Sequence, residues 1–119
     1  MRVLLVDDEE EFVSTLAERL AMRGIDADWT TSGPDALARV DTQSFDLAVL
    51  DIKIPKMGGL DLKEKLQVKC PDMKFIFLTG YGSAKDFKSI SENIGADFYL
   101  VKPVDIDFLI EKMNALVKQ

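Results

Sequence analysis

Val3-Leu4-Leu5-Val6-Asp7-Asp8-Glu9 sets four consecutive aliphatic residues directly before three acids, and this stretch decides the fold. A short apolar run with no polar alternation reads as a strand buried on both faces, which is the habit of parallel sheets covered by helices. The same unit returns three times. Leu47-Ala48-Val49-Leu50 runs into Asp51, Phe75-Ile76-Phe77-Leu78 into Thr79, and Phe98-Tyr99-Leu100-Val101 into Lys102.

Between the runs the spacing turns helical. Residues 9–23 carry Phe12, Val13, Leu16, Ala17 and Leu20 at three- and four-residue intervals, and Gly24 supplies the stop. Residues 26–31 form a weaker, more polar strand, as an edge strand would be. Ser32 then caps a helix with Pro34 in its first turn and Ala36, Leu37 and Val40 inside. Past Asp51, the loop Ile52-Lys53-Ile54-Pro55-Lys56-Met57-Gly58-Gly59 leads into a helix offering Leu60, Leu62 and Leu66, with Val68 as a further candidate, and Pro71 and Asp72 close it. Thr79-Gly80-Tyr81-Gly82 is another loop, before a helix at residues 84–94 anchored only by Ala84, Phe87, Ile90 and Ile94 and therefore the least firmly packed. Ile106, Leu109, Ile110, Met113, Leu116 and Val117 mark a final amphipathic helix. Five repeats of strand then helix specify an α/β, doubly wound parallel sheet with right-handed crossovers and helices on both faces. In such sheets ligands bind outside the carboxyl ends of the strands.

Composition narrows the chemistry. The 119 residues suffice for one domain, taken as 1–119, and leave no room for a second. With 47% hydrophobic and 30% charged residues the mixture is that of a globular chain, so disorder is not expected. Cys70 is the sole cysteine, and with no histidine present neither a disulfide nor a zinc site can be assembled around it; a redox role is not expected. The apolar run at residues 3–6 is too short for a signal-peptide core or a membrane span, which makes the cytoplasm the expected location. A formal charge of −6 argues against direct contact with nucleic acid or anionic lipid. The absence of histidine also removes the usual general base and the Ser/His and Cys/His nucleophile pairs. Trp29 reads as an edge-strand packing residue.

What remains is a set of polar residues at strand ends: Asp7 and Asp8, Asp51, Thr79 and Lys102. Three carboxylates converging at one edge repel one another unless a hard cation sits among them, and Mg²⁺ suits oxygen ligands of this number. The available nucleophile is then a carboxylate attacking phosphorus to give an aspartyl phosphate, with a metal, a lysine and a hydroxyl neutralising the transferred charge. Asp51 stands alone at the end of its strand and is the best candidate. Each residue also has an ordinary role open to it. Asp51 can bond loop amides, Asp7 and Asp8 can be first-turn helix acids, Lys102 a surface lysine, Thr79 a cap and Tyr99 a half-buried strand aromatic. Their joint appearance at every expected strand end is what favours the chemical reading.

At these residues the chain resembles the receiver domains of two-component response regulators. The resemblance rests on the motif at residues 3–9, on Asp51 through Leu60, on Leu78-Thr79-Gly80, and on Gly95-Ala96-Asp97-Phe98-Tyr99-Leu100-Val101-Lys102-Pro103, and it spans nearly the whole chain. It implies a flavodoxin-like (βα)5 sandwich with strand order 2-1-3-4-5. It implies Asp51 as phosphoacceptor, with Mg²⁺ held by Asp51, by Asp8 directly, by Asp7 through water and by the main-chain carbonyl of Lys53. It implies that Lys102 and Thr79 bind the phosphoryl group and that the Tyr99 ring moves inward with Thr79, a population shift between two packings. The readout face would lie on the helix at 84–94, the Tyr99 strand and the last helix. A cis bond before Pro103 is also implied. Lys53 and Tyr81 overhang the site, so the lifetime of the phosphoryl group is left open, and no consequence is drawn from the pair Gly58-Gly59.

The expected partners are a histidine kinase or histidine phosphotransfer protein on one side and a downstream effector protein or domain on the other. A phosphorylation-dependent dimer through the 84–94 face is an open option that carries no weight. Two other classes compete. An aspartyl-phosphate phosphohydrolase usually needs an acid two residues past the nucleophile, and Lys53 stands there. A receiver-like interaction module acting without phosphorylation is disfavoured by the intact acid pair, Asp51, Thr79 and Lys102. The chain is expected to act as a signalling protein and not as an enzyme on external substrates.

Overall fold

The computed structural model describes residues 1–80 and 99–117, apart from the side chain of Thr79. Its elements run β1 (Arg2–Val6), α1 (Glu10–Met22), β2 (Asp26–Thr30), α2 (Gly33–Thr42), β3 (Leu47–Leu50), α3 (Gly59–Lys69), β4 (Lys74–Thr79), β5 (Tyr99–Val101) and α4 (Ile106–Val117). The five strands form one sheet in the order β2-β1-β3-β4-β5, and every neighbouring pair is parallel. The order reverses direction between β1 and β3, as a doubly wound sheet requires. The helix expected at residues 84–94 lies outside the described residues.

The apolar residues of the unalternating strands are buried on both faces, for the reason their sequences suggested, except Val101 at the end of β5, which is 48% exposed. On one face Val3, Leu5, Leu47, Val49, Ile76, Leu78 and Leu100 pack with Val13, Leu16 and Leu20 of α1 and Leu109 and Met113 of α4. On the other, Leu4, Val6, Ala48, Leu50, Phe75, Phe77 and Tyr99 pack with Ala36 of α2 and Leu62 and Leu66 of α3. Each large aliphatic or phenylalanine side chain withdrawn from water contributes roughly 1.5–3 kcal/mol, and these two layers hold the strand ends in register. The polar strand β2 is one of the two sheet edges, where Trp29 packs partly buried against the first layer.

Local signals explain the helix limits. Gly24 adopts φ +81°, and the chain leaves α1 through paired bonds in which Gly24 N–H donates to the Ala21 carbonyl and Ile25 N–H to the Leu20 carbonyl, both at 3.0 Å. Ser32 Oγ accepts the Asp35 N–H at 3.3 Å at the start of α2, with Pro34 in the first turn. One expectation fails: Val68 is 82% exposed. Leu62 and Leu66, four apart, own the inner face of α3, and a residue two beyond Leu66 is carried about 200° round the helix axis to solvent.

Candidate functional site

Register places the chemistry. Val6 of β1 pairs with Leu50 of β3, so Asp7 and Asp51 leave the sheet side by side, and the Asp51 N–H donates to the Val6 carbonyl at 3.0 Å. Thr79 is the last residue of β4 and pairs with Val101, which delivers Lys102 to the same edge. One carboxylate oxygen from each of Asp7, Asp8 and Asp51 falls within 4.8 Å of the others. Asp7 and Asp51 are buried, at 4% and 7% exposure, and Asp8 faces solvent.

Each buried acid is held by backbone as well as by the lysine. Asp7 Oδ1 accepts the Glu9 N–H at 2.9 Å, and Asp51 Oδ1 accepts the Lys53 N–H at 3.2 Å. Lys102 Nζ donates to Asp7 Oδ2 at 2.6 Å, to Glu9 Oε1 at 3.0 Å and to Asp51 Oδ2 at 3.5 Å, and lies 4.4 Å from the centre of the Phe12 ring. Burial pushes the Asp7 carboxyl above its usual range; the hydrogen bonds from Lys102 and Glu9 N–H and the Lys102 charge oppose this, and the Asp51 charge adds to it. Burial alone would pull the Lys102 ammonium down, but its bonds to Asp7 and Glu9 and the charges of Asp7 and Asp51 outweigh that and raise it.

Among the described residues, the three aspartates of the cluster outnumber the single lysine bonded to it, which leaves a formal excess of negative charge at a largely buried strand edge. An all-oxygen donor set of this size and sign fits a hard divalent cation such as Mg²⁺. The residues therefore fit the ion that the sequence called for.

Of the residues singled out in the sequence, Asp7, Asp8, Asp51 and Lys102 are brought together. Lys53 enters through its backbone N–H. Tyr99 is 6% exposed and packed in the layer facing α2 and α3. Thr79 ends the adjacent strand, its side chain outside the described part of the structure, and Tyr81 lies outside the described residues. The Lys102–Pro103 peptide is cis.

Three residues at the site were not assigned from the sequence. Glu9 and Phe12 both touch the Lys102 ammonium. Gly59 opens α3 directly against β3: its N–H donates to the Ile52 carbonyl at 2.8 Å, and a Cβ on it would sit 2.3 Å from the Asp51 carbonyl oxygen. The glycine pair in the loop was the only sequence signal for that approach. In the same loop Lys56 takes a left-handed conformation at φ 70°.

Residues 3–114 match the family model described as the response regulator receiver domain. The two-component response regulator PhoP of Pseudomonas aeruginosa is 35% identical over 119 residues, which is all of this chain and 52% of that protein. This chain spans about half the length of the curated relatives it matches. A CheY-like receiver domain protein from Methanospirillum hungatei superposes with a TM-score of 0.87 at 35% identity, covering 98% of this chain and 93% of that one. The response regulator TrrA of Thermotoga maritima, solved in complex with Mg²⁺–BeF, gives a TM-score of 0.82 at 35% identity over 97% of each chain. With the doubly wound sheet and the acidic pocket in place, this chain belongs to the response regulator receiver domains, signalling proteins whose general role is phosphoryl acceptance.

Proposed function

We propose that residues 1–119 act as one phosphorylation-controlled receiver in which Asp51 is the phosphoacceptor. The observation that carries this reading is the convergence of Asp7, Asp8, Asp51 and Lys102 from three strand ends onto one spot. A carboxylate oxygen of Asp51 attacks the phosphorus of a phosphohistidine on a histidine kinase or phosphotransfer protein. The new O–P bond forms as the N–P bond breaks, and the leaving imidazole nitrogen keeps the electron pair. Asp8 directly, Asp7 through water, Asp51 itself and the Lys53 carbonyl would hold Mg²⁺, which when bound supplies charge neutralisation for the transferred group.

The chain's own residues do the rest. The Lys53 N–H fixes Asp51 through Oδ1, leaving Oδ2 turned toward Lys102. Lys102 and the Thr79 hydroxyl receive the phosphoryl oxygens, and the Tyr99 ring follows Thr79 inward to alter the surface offered to an effector protein or domain. Tyr99, the strand partner of Phe77, is already buried in the layer facing α2 and α3, so the two packings would differ within that layer. No described helix is long and apolar enough to cross a membrane, and we place the protein in the cytoplasm with its kinase.

Intact mass after incubation with acetyl phosphate and Mg²⁺ tests the proposal. A Mg²⁺-dependent gain of about 80 Da, absent in Asp51→Asn, is the expected result. If neither an adduct nor a beryllofluoride-induced change in NMR shifts appears, the phosphorylation switch is wrong.

A further inference from the structure

Lys102 is not centred on the residue it would serve. Its ammonium carries three donors, and the two short bonds go to Asp7 at 2.6 Å and Glu9 at 3.0 Å, while Asp51 Oδ2 stands at the limit of hydrogen bonding, 3.5 Å away. The Phe12 ring, 4.4 Å from Nζ, adds a second attraction on the α1 side. Glu9 is not one of the clustered acids: its side chain is 64% exposed, at the mouth of the site just ahead of α1. It therefore holds the ammonium, whose side chain is only 11% exposed, toward the α1 side of the site.

The direction of that pull matters because a lysine and a divalent cation compete for the same oxygens. An ammonium turned fully onto Asp7 and Asp51 would neutralise them and leave little field for a metal. Taking the acidic cluster as the cation site, as proposed above, we propose that Glu9 is a positioning residue: it anchors Lys102 on the α1 side, away from Asp51, and keeps the Asp51 oxygen open to Mg²⁺. As an exposed ion pair it contributes little to stability, so its effect is on where the lysine rests. Glu10 and Glu11, next along α1, carry the same charge without touching Lys102 and serve as controls for general electrostatics.

The test is a double-mutant cycle read by calorimetric Mg²⁺ titration of the full chain: wild type, Glu9→Gln, Lys102→Met, the double variant, and Glu10→Gln. Expected are a weakening of Mg²⁺ binding by about fivefold for Glu9→Gln when Lys102 is present, and under about twofold when it is Met, with Glu10→Gln also under about twofold. Glu9→Gln is near-isosteric at an exposed position, so unfolding midpoints without Mg²⁺ should match and exclude a folding defect. If wild type binds Mg²⁺ and the cycle is additive, or Glu10→Gln weakens binding as much as Glu9→Gln, the positioning role is overturned while the metal site stands. If wild type binds no Mg²⁺, the metal site falls, and this role falls with it.

Discussion

Gly59 lies so close to Asp51 that a methyl group on its Cα would be 2.3 Å from the Asp51 carbonyl oxygen and 2.9 Å from the Ile52 Cα. Both neighbours are backbone and cannot rotate away. The helix start and the strand end that carries Asp51 are thus locked at a distance only glycine permits. Gly59→Ala should destabilise the fold by about 1–3 kcal/mol, as overpacking does, and should slow acetyl phosphate labelling beyond the loss of folded protein. Urea unfolding and labelling rates, corrected for the folded fraction, check this; wild-type values in both would remove the constraint.

Lys56 makes the opposite case. Its φ of 70° places a side chain in the left-handed region at a cost of about 1–2 kcal/mol, part of which glycine would return to the unfolded chain as entropy. Lys56→Gly should therefore raise stability, by about 0.5 kcal/mol, in chemical denaturation.

Mg²⁺ should stabilise the folded chain by about 1.4 kcal/mol at ten times its dissociation constant. That increment should vanish in Asp8→Asn, whose exposed carboxylate can be removed without disturbing the core. Unfolding midpoints with and without Mg²⁺ decide it, and an undiminished shift in the variant would remove Asp8 from the ligand set.

A pH series isolates Asp7. Its carboxyl titrates above the usual 3.8 in the folded chain because burial disfavours the charge. The folded state thus binds that proton more tightly than the unfolded state, a contribution to stability complete below about pH 3.8 and lost as pH rises through the raised value. Without divalent ions, wild type should lose stability relative to Asp7→Asn from acid toward neutral pH. A difference that stays flat across that range would contradict the burial argument.

The sheet was legible because β1 from Val3 to Val6 and β3 throughout offer unbroken apolar runs, a pattern only a doubly covered strand needs, while β2 betrays its edge position by polarity. Asp7, Asp51 and Lys102 were legible for the same reason: each is the first polar residue after a buried strand, and register does the rest. Val68 misled because apolar character was counted without its angle round α3. The contacts of Glu9 and Phe12 with Lys102 join residues some ninety positions apart and depend on a side-chain path that no local pattern encodes. Gly59 read as a loose loop residue because close approach is a property of two backbones, and the sequence displays only one at a time.

The spacing of the lysine's partners has a wider meaning. Asp7 and Lys102 are 95 residues apart and Lys102 and Asp51 are 51 apart, so a fragment that lacks either β1 or β5 lacks part of the site. Chemical competence arrives only when β1, β3 and β5 stand in register. Under the proposed function, unfolded or half-synthesised molecules would be silent as acceptors, and a phosphoryl mark would certify an intact molecule to whatever reads it.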